Sequence, residues 1–184
     1  RGRQRRWFCG RRWWRHRFLN QYSAFCVMRD WVTACIGLGA NLGDASAALR
    51  AATHSIDTLN EVRLTRRSSL YGSSPVDSSG PDYVNAVVQV QTRLTAPQLL
   101  AALQRIELQA GRERPFLNAP RTLDLDLLLF GDARICSPAL VVPRPRMAER
   151  AFVLRPLAEL AQDRVSAEQL SRVAGQSVWC LGPL

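Results

Sequence analysis

Leucine and aspartate alternate strictly over residues 123–127. Successive side chains of a β-strand point to opposite faces of its sheet, so this spacing places the leucines on one face and Asp124 and Asp126 on the other. The apolar run that follows, up to Phe130, extends the predicted strand to 123–130. The segment therefore constrains the fold to a sheet that buries one face and carries a pair of carboxylates on the opposite face.

Hydrophobic periodicity predicts the remaining elements around this strand. They are strands over 31–36, 62–71 and 84–94, helices over 45–59 and 95–111, and short C-terminal helices over 148–160 and 167–173. The glycine-rich residues 37–44 are interpreted as a tight connection, and 72–82 and 112–122 as loops. The order strand, helix, strand, strand, helix, strand predicts a ferredoxin-like α+β sandwich, an antiparallel sheet with both helices on one face. This fold supports many unrelated functions, so it does not name one.

The net charge of +10 is distributed unevenly along the 184 residues. Residues 1–27 contain eight arginines and no acid, which leaves 17 arginines against 15 acids in residues 28–184. The body of the chain is therefore nearly balanced, and its overall field gives little reason to expect a nucleic-acid partner. A length of 184 residues suits one domain, which we predict over 28–184.

The Arg/Trp-rich segment 1–27 has three interpretations: a nucleic-acid-binding arm, an organellar transit peptide, or translated sequence upstream of a true start at Met28. We favour the third, because ordered patterning begins just after Met28 and three tryptophans are unusual in a transit peptide. The segment is expected to be disordered or not native.

The five cysteines show no CxxC pair and no regular spacing. An odd number of scattered cysteines indicates reduced thiols, and a cytoplasmic location is expected. No apolar run reaches the roughly 20 residues that a membrane-spanning helix requires. We therefore expect no membrane partner. We also expect a monomer.

The two aspartates of the 123–127 segment have two interpretations. Same-face neighbours on a strand lie about 6.5–7 Å apart, and two bare carboxylates at that distance repel each other. Magnesium binds one or two carboxylates and completes its shell with water and substrate phosphates, so Asp124 and Asp126 are candidate metal ligands. The alternative is a solvated strand face, and the spacing alone leaves both open.

Neighbouring arginines favour the metal interpretation. Arg112, Arg114 and Arg121 precede the strand, and Arg144, Arg146 and Arg150 follow it. Guanidinium groups close to a metal pair suit phosphoryl transfer, which depends on positioning and charge neutralisation. The alternative for some of these arginines is ordinary solubilising surface.

Three other nucleotide-binding or nucleic-acid-binding classes fit poorly. The glycines at 37, 39 and 43 are spaced one residue too far for a dinucleotide fingerprint, and a chain without lysine has no P-loop. An RNA-recognition motif shares the predicted element order, but its third strand carries stacking aromatics, and residues 84–90 contain none. An RNA- or nucleotide-binding module aided by residues 1–27 remains the alternative hypothesis.

The chain resembles the 6-hydroxymethyl-7,8-dihydropterin pyrophosphokinases of folate biosynthesis. The matching stretches are IGLGANLGD (36–44), SLY (69–71), PV (75–76), PDYVNA (81–86), QRIExxxGRxR (104–114), PRTLDLDLL (120–128) and VPxPRMxERAFVL (142–154). They keep the family's order, and they cover roughly residues 32–160.

The resemblance implies transfer of pyrophosphate from Mg-ATP to the pterin hydroxymethyl group, with release of AMP. It implies two Mg²⁺ ions on Asp124 and Asp126, with Arg112 and Arg121 supporting catalysis. The implied ATP-binding residues are Gln104, Glu107, Arg114, Arg121, Leu127, Arg144 and Arg150. The implied pterin-binding residues are Ser73, Ser74, Val76, Tyr83, Asn85 and Phe152.

Three positions depart from the family's usual pattern. Arg144 replaces the usual histidine after Val-Pro, Asp77 replaces a glycine after Pro-Val, and Asn118 occupies a position that is often aromatic. Arg144 adds a cation near the phosphates, and we expect it to preserve binding but alter product release.

Overall fold

The computed structural model describes residues 29–75, 80–111 and 122–184. Its elements are β1 (Val32–Ala40), α1 (Ala45–Asp57), β2 (Val62–Arg67), β3 (Ser69–Ser73), β4 (Tyr83–Thr92), α2 (Ala96–Gln109), β5 (Asp124–Phe130), β6 (Ile135–Cys136), β7 (Val141–Val142), α3 (Ala151–Leu160), α4 (Ala167–Arg172) and β8 (Val178–Pro183). The prediction for residues 1–27 lies outside the described residues.

The main sheet has the order β5-β1-β4-β3-β8, and β2 pairs with the other end of β4. Every strand pair in it is antiparallel. β2 and β3 together occupy the place of one strand beside β4, and the order of elements from β1 to β5 is strand, helix, strand, strand, helix, strand. The structure confirms the predicted ferredoxin-like sandwich.

The helices α1 and α2 pack on one face of the sheet. Each begins where the sequence provides a cap: the Asp44 carboxylate accepts a hydrogen bond from Ala47 N, and Thr95 and Gln98 form a capping box. The shared core contains the fully buried side chains of Ile36, Leu49, Ile56, Val88, Val90, Leu99 and Leu103.

α3 packs on the opposite face. Leu154 and Leu157 of this helix are buried against Cys35, Val87 and Leu128, which come from β1, β4 and β5. These three strand residues alternate with the side chains of the first core, because the strand period is two. The sheet is therefore covered by helices on both faces, but α3 covers only part of its face.

The structure corrects the predicted elements at three places. β1 does not stop at Gly37 but continues to Ala40, so the first two glycines of the 37–44 segment are strand residues and not a connection. The strand predicted over 62–71 is split at Ser68, whose Oγ accepts a hydrogen bond from Val87 N, and β3 extends to Ser73 in the predicted loop. The C-terminal strand β8, which pairs with β3, was not predicted.

Within the described ranges, the structure contains no helix long and apolar enough to cross a membrane.

Candidate active site

A cavity of about 450 Å³ opens between the sheet and the beginning of α3. Its floor consists of β1, β4 and β5, on the face of the sheet that carries α3. One wall comes from the end of β3 and the start of β4, and the other from residues 146–153. The cavity is therefore the part of this face that α3 leaves uncovered.

Two glycines of β1 open the floor. Gly39 pairs with Asn85 on one side and Asp124 on the other, and Gly37 lies in the same way between Val87 and Asp126. A Cβ atom built on Gly39 would lie 3.5 Å from Asn85 Oδ1, so a larger side chain there would project into the cavity. Because Gly37 and Gly39 have no side chains, the Asn85 side of the cavity is continuous with the aspartate side.

Asp124 and Asp126 both line the cavity, as the alternation in the sequence predicts. Arg144 Nη2 lies 3.1 Å from Asp126 Oδ1, and the two side chains are 47% and 30% exposed. Burial raises the pKa of Asp126 above its usual range, the charge of Asp124 raises it further, and Arg144 and Arg150 act against both effects. The two carboxylates thus repel each other in a place where a cation would stabilise both.

The donor set fits magnesium. In the part of the chain that the structure describes, no group of three His, Cys, Asp or Glu side chains gathers in metal-binding geometry. Two half-buried carboxylates facing an open cavity are nevertheless what Mg²⁺ uses, because phosphate oxygens and water supply the rest of its shell.

The wall formed by β3 and β4 is polar, and two of its side chains are hydrogen-bonded to each other. Asn85 and Ser73 are 6% and 4% exposed, and Asn85 Nδ2 donates to Ser73 Oγ at 3.0 Å. Ser74 and Tyr83 line the same side. This wall therefore holds four of the six residues that the resemblance implies for pterin binding.

The opposite wall contains Phe152 and Arg150. The Arg150 guanidinium carbon lies 5.7 Å from the centre of the Phe152 ring, and both side chains line the cavity. Phe152 is half-buried, so part of its ring surface remains open to a ligand. Phe152, a predicted pterin contact, and Arg150, a predicted ATP contact, are thus adjacent.

The structure places three other predicted ATP contacts, Gln104, Glu107 and Leu127, outside the lining of this cavity. Gln104 is exposed on α2, whereas Glu107 is 4% exposed and its Oε1 accepts a hydrogen bond from Leu125 N at 2.7 Å. The side chain of Leu127 is buried in the core under α1 and α2. Because backbone directions repeat every two residues, the N–H and C=O of Leu127 point to the same sheet edge as Leu125 N, next to α2.

Several predicted site residues lie outside the described residues: Val76, Arg112, Arg114 and Arg121, together with Asp77 and Asn118. Their roles stay predictions.

Sequence reasoning missed three features of the cavity. The role of Gly37 and Gly39 could have been found, since glycines two apart in a β-branched and apolar run indicate a strand face kept free of side chains. Glu149 and Gln176 also line the cavity. Glu149 belongs to the matching stretch 142–154 but was given no role, and no sequence signal pointed to Gln176.

The chain matches the family model for 7,8-dihydro-6-hydroxymethylpterin-pyrophosphokinase (HPPK) over residues 35–162. It is 46% identical over 129 residues to the 2-amino-4-hydroxy-6-hydroxymethyldihydropteridine pyrophosphokinase of Pseudomonas aeruginosa, covering 70% of this chain and 80% of that one. It is 41% identical over 150 residues to the protein of the same name from Bacillus subtilis, covering 79% and 89%.

Solved structures show the same fold. Two Plasmodium falciparum HPPK-DHPS structures align with TM-scores of 0.62 and 0.60 at 13% and 14% sequence identity, covering 79% and 82% of this chain. The chain spans less than half of those longer proteins, 44% and 47% of their lengths. The family model and the bacterial relatives show that the chain belongs to the 7,8-dihydro-6-hydroxymethylpterin-pyrophosphokinase family.

Proposed function

We propose that this protein transfers a pyrophosphoryl group from ATP to the hydroxymethyl group of 6-hydroxymethyl-7,8-dihydropterin, releases AMP, and serves folate biosynthesis. One observation carries the proposal: Asn85, Gly39 and Asp124 lie side by side across three adjacent strands on the floor of one cavity. Adjacent strands are about 4.8 Å apart, so roughly 10 Å separates the Asn85 backbone from that of Asp124. A flat bicyclic ring held at Asn85 would extend its substituent over Gly39 toward the carboxylates.

The polar wall suits the pterin. A carboxamide offers a donor and an acceptor in one plane, which matches the amide-like edge of the pterin ring. Asn85 is held in position through Ser73 Oγ, and its Oδ1 faces the space above Gly39. Tyr83 and Phe152 line opposite walls, so the ring would lie between two aromatic side chains.

Asp124 and Asp126 would hold magnesium, and two ions are the number we propose. When bound, Mg²⁺ neutralises charge on the triphosphate and orients its β-phosphorus. Arg144 is paired to Asp126 in the structure, so its guanidinium would transfer from the carboxylate to a phosphate oxygen when ATP and metal bind. Arg150, at the other wall, already faces the cavity.

The remaining nucleotide contacts would lie along the edge of β5 that faces α2. Gln104 is exposed on α2, the backbone of Leu127 points to this edge, and Arg112, Arg114 and Arg121 belong to the segment that joins α2 to β5. Glu107 would act indirectly, by fixing Leu125 and hence the edge of β5.

In the reaction, the hydroxymethyl oxygen forms a bond to the β-phosphorus while the bond from that phosphorus to the α-phosphate oxygen breaks. AMP leaves with that oxygen, and the hydroxyl proton passes to solvent. Glu149 also lines the cavity, where its Oε2 is paired with Arg146 Nε at 3.3 Å. The protein's contribution is positioning and charge stabilisation.

We also propose that the protein acts as a monomer in the cytoplasm. The small-molecule substrates do not require a partner chain.

Analysis of the products tests the proposal. The protein would be incubated with ATP, Mg²⁺ and the hydroxymethyl-dihydropterin, and the nucleotides would be separated chromatographically. We expect AMP and the pterin diphosphate in equal amounts, and no AMP when the pterin is omitted. Formation of ADP, or AMP that does not depend on the pterin, would contradict the proposal.

A further inference from the structure

α3 begins without a cap from its own segment. Arg150 occupies the N-cap position, and its side chain makes no capping hydrogen bond. Gln176, 26 residues further along the chain, supplies the missing partner: its Oε1 accepts from Ala151 N at 2.8 Å, and its Nε2 donates to Glu149 O at 2.7 Å. One carboxamide therefore binds the backbone on both sides of Arg150.

Gln176 is itself held firmly. Val173 is 2% exposed and packs in the core beneath α3, and Gln176 N donates to Val173 O at 3.0 Å. On the other side, Arg155 Nη1 of α3 donates to Val178 O at 2.9 Å. The segment 173–178 is thus attached to α3 before and after Gln176, so the carboxamide is part of the packed structure.

The backbone that Gln176 binds carries two predicted ligand contacts. Arg150 and Phe152 lie within two residues of Ala151, and both line the cavity. Arg150 has an extended backbone immediately before the helix begins, so its direction depends on where the first turn of α3 is fixed. If the two hydrogen bonds to Gln176 are lost, Glu149 O and Ala151 N lose their partners and this turn can shift.

We propose that Gln176 is a positioning residue for pyrophosphoryl transfer, which fixes the direction of Arg150 toward the nucleotide and of Phe152 toward the pterin. It lies beyond residues 35–162, which match the family model. The inference rests on the proposed function, since it assigns Gln176 a role at that same site.

The chemistry of the carboxamide gives a graded test. Glutamine both donates and accepts, glutamate only accepts, and methionine has a similar shape without either hydrogen bond. Gln176→Met therefore removes both bonds, and Gln176→Glu keeps only the bond from Ala151 N. A carboxylate at a helix N-terminus is favourable, so the Glu variant should keep its thermal stability.

A control variant removes the hydrogen bonds that hold the C-terminal end of α3. The Arg66 guanidinium donates to Leu160 O and, at 3.0 Å, to Glu159 O at the end of α3, far from the cavity lining. Arg66→Met should lower the melting temperature while changing kcat/KM by no more than about twofold.

The experiment measures the melting temperature, and kcat and KM for both substrates, in the wild type and in the Gln176→Met, Gln176→Glu and Arg66→Met variants. For Gln176→Met we expect kcat/KM to fall roughly 5- to 30-fold, mainly through a higher KM for ATP and pterin. For Gln176→Glu we expect a near-normal melting temperature with a raised KM for ATP, because the new carboxylate lies beside Arg150.

The outcomes distinguish the two proposals. Wild-type kcat/KM in Gln176→Met would overturn the positioning role, even if stability falls. If Gln176→Met does not fold, Gln176→Glu decides, and a wild-type KM for ATP in that variant overturns the inference. A wild type that forms no AMP would instead overturn the proposed function and this inference with it.

Discussion

The two faces of the sheet use the same three strands for different purposes. Toward α1 and α2, β1, β4 and β5 present a mainly aliphatic surface that includes Ile36, Val88 and Leu127. Toward α3, the side chains change along each strand from Cys35, Val87 and Leu128 under the helix to glycine, asparagine and aspartate beyond it.

This difference shows how the fold separates stability from chemistry. A face that is covered along its whole length can be filled with aliphatic side chains, which stabilise the fold by burial. A face whose helix covers only half its length leaves a polar floor that can bind a ligand. Because side chains alternate, one strand such as β5 serves both faces with consecutive residues. Substitutions at adjacent positions should therefore have separable effects.

The largest expected effect is on stability, at Leu125. This residue is 3% exposed in the core under α1 and α2 and lies between the two aspartates. Leu125→Ala should lower the free energy of unfolding by about 2–5 kcal/mol, since it leaves a cavity in that core. Chemical denaturation measures the loss, and kcat of the folded variant should stay near the wild-type value. Leu181, 48% exposed on β8, provides the control, because Leu181→Ala should change stability little. A large loss of kcat in folded Leu125→Ala would show that the two faces are not separable.

The next effect is on substrate binding, at Gly39. Gly39→Val places methyl groups above the floor of the cavity beside Asn85 Oδ1, so kcat/KM for the pterin should fall roughly 100-fold, about 2.7 kcal/mol. Stability should not fall, because valine suits a strand better than glycine.

Ala40→Val is the matched control for Gly39→Val. Ala40 is fully buried on the opposite face, and the larger side chain should cost about 1–3 kcal/mol of stability by overpacking, with pterin KM unchanged. An unchanged pterin KM in Gly39→Val would show that the pterin does not lie over β1.

The sequence predicted the covered face better than the open one. Alternation and helical periodicity placed Asp124, Asp126 and the core leucines correctly, because burial on one face imposes a regular pattern. Gly37 and Gly39 were taken for a turn, since glycine breaks local propensity whether it turns the chain or clears a strand face. Gln176 could not be found, because its two hydrogen bonds join segments 25 and 27 residues apart.

A smaller effect is expected at Arg144, whose ion pair with Asp126 competes with a metal. Exposed ion pairs contribute at most about 1 kcal/mol, so Arg144→His should lower the Mg²⁺ concentration for half-maximal activity by up to roughly fivefold. Binding of Mn²⁺ without ATP, followed by electron paramagnetic resonance, should tighten by a similar factor. Arg146→His is the control, because Arg146 lines the cavity but pairs with Glu149. Unchanged Mn²⁺ affinity in Arg144→His would contradict the competition.

The smallest effect concerns Cys35, under α3. Burial raises the pKa of this thiol from 9.0 to about 11, whereas Cys136 and Cys180 are exposed. At pH 8, iodoacetamide followed by peptide mapping should label Cys136 and Cys180 but not Cys35.

The same burial makes stability depend on pH. Because folding raises the pKa of Cys35, the stabilisation from its neutral thiol is complete below pH 9 and is lost as the pH rises through about 11. Cys35→Ala should therefore lose less stability than the wild type over that interval. Rapid native labelling of Cys35 would show that α3 does not seal this half of the face.

The most direct test of the central claim is AMP formation by Asp126→Asn, measured beside Asp132→Asn with ATP, Mg²⁺ and the hydroxymethyl-dihydropterin. Both changes remove one carboxylate charge at nearly constant volume, but Asp132 is 88% exposed and pairs with Arg164 outside the cavity lining. We expect Asp126→Asn to form AMP about 10²- to 10³-fold more slowly with its fold intact, and Asp132→Asn to match the wild type. AMP formation at the wild-type rate by Asp126→Asn would contradict the assignment of the reaction to the open face of the sheet.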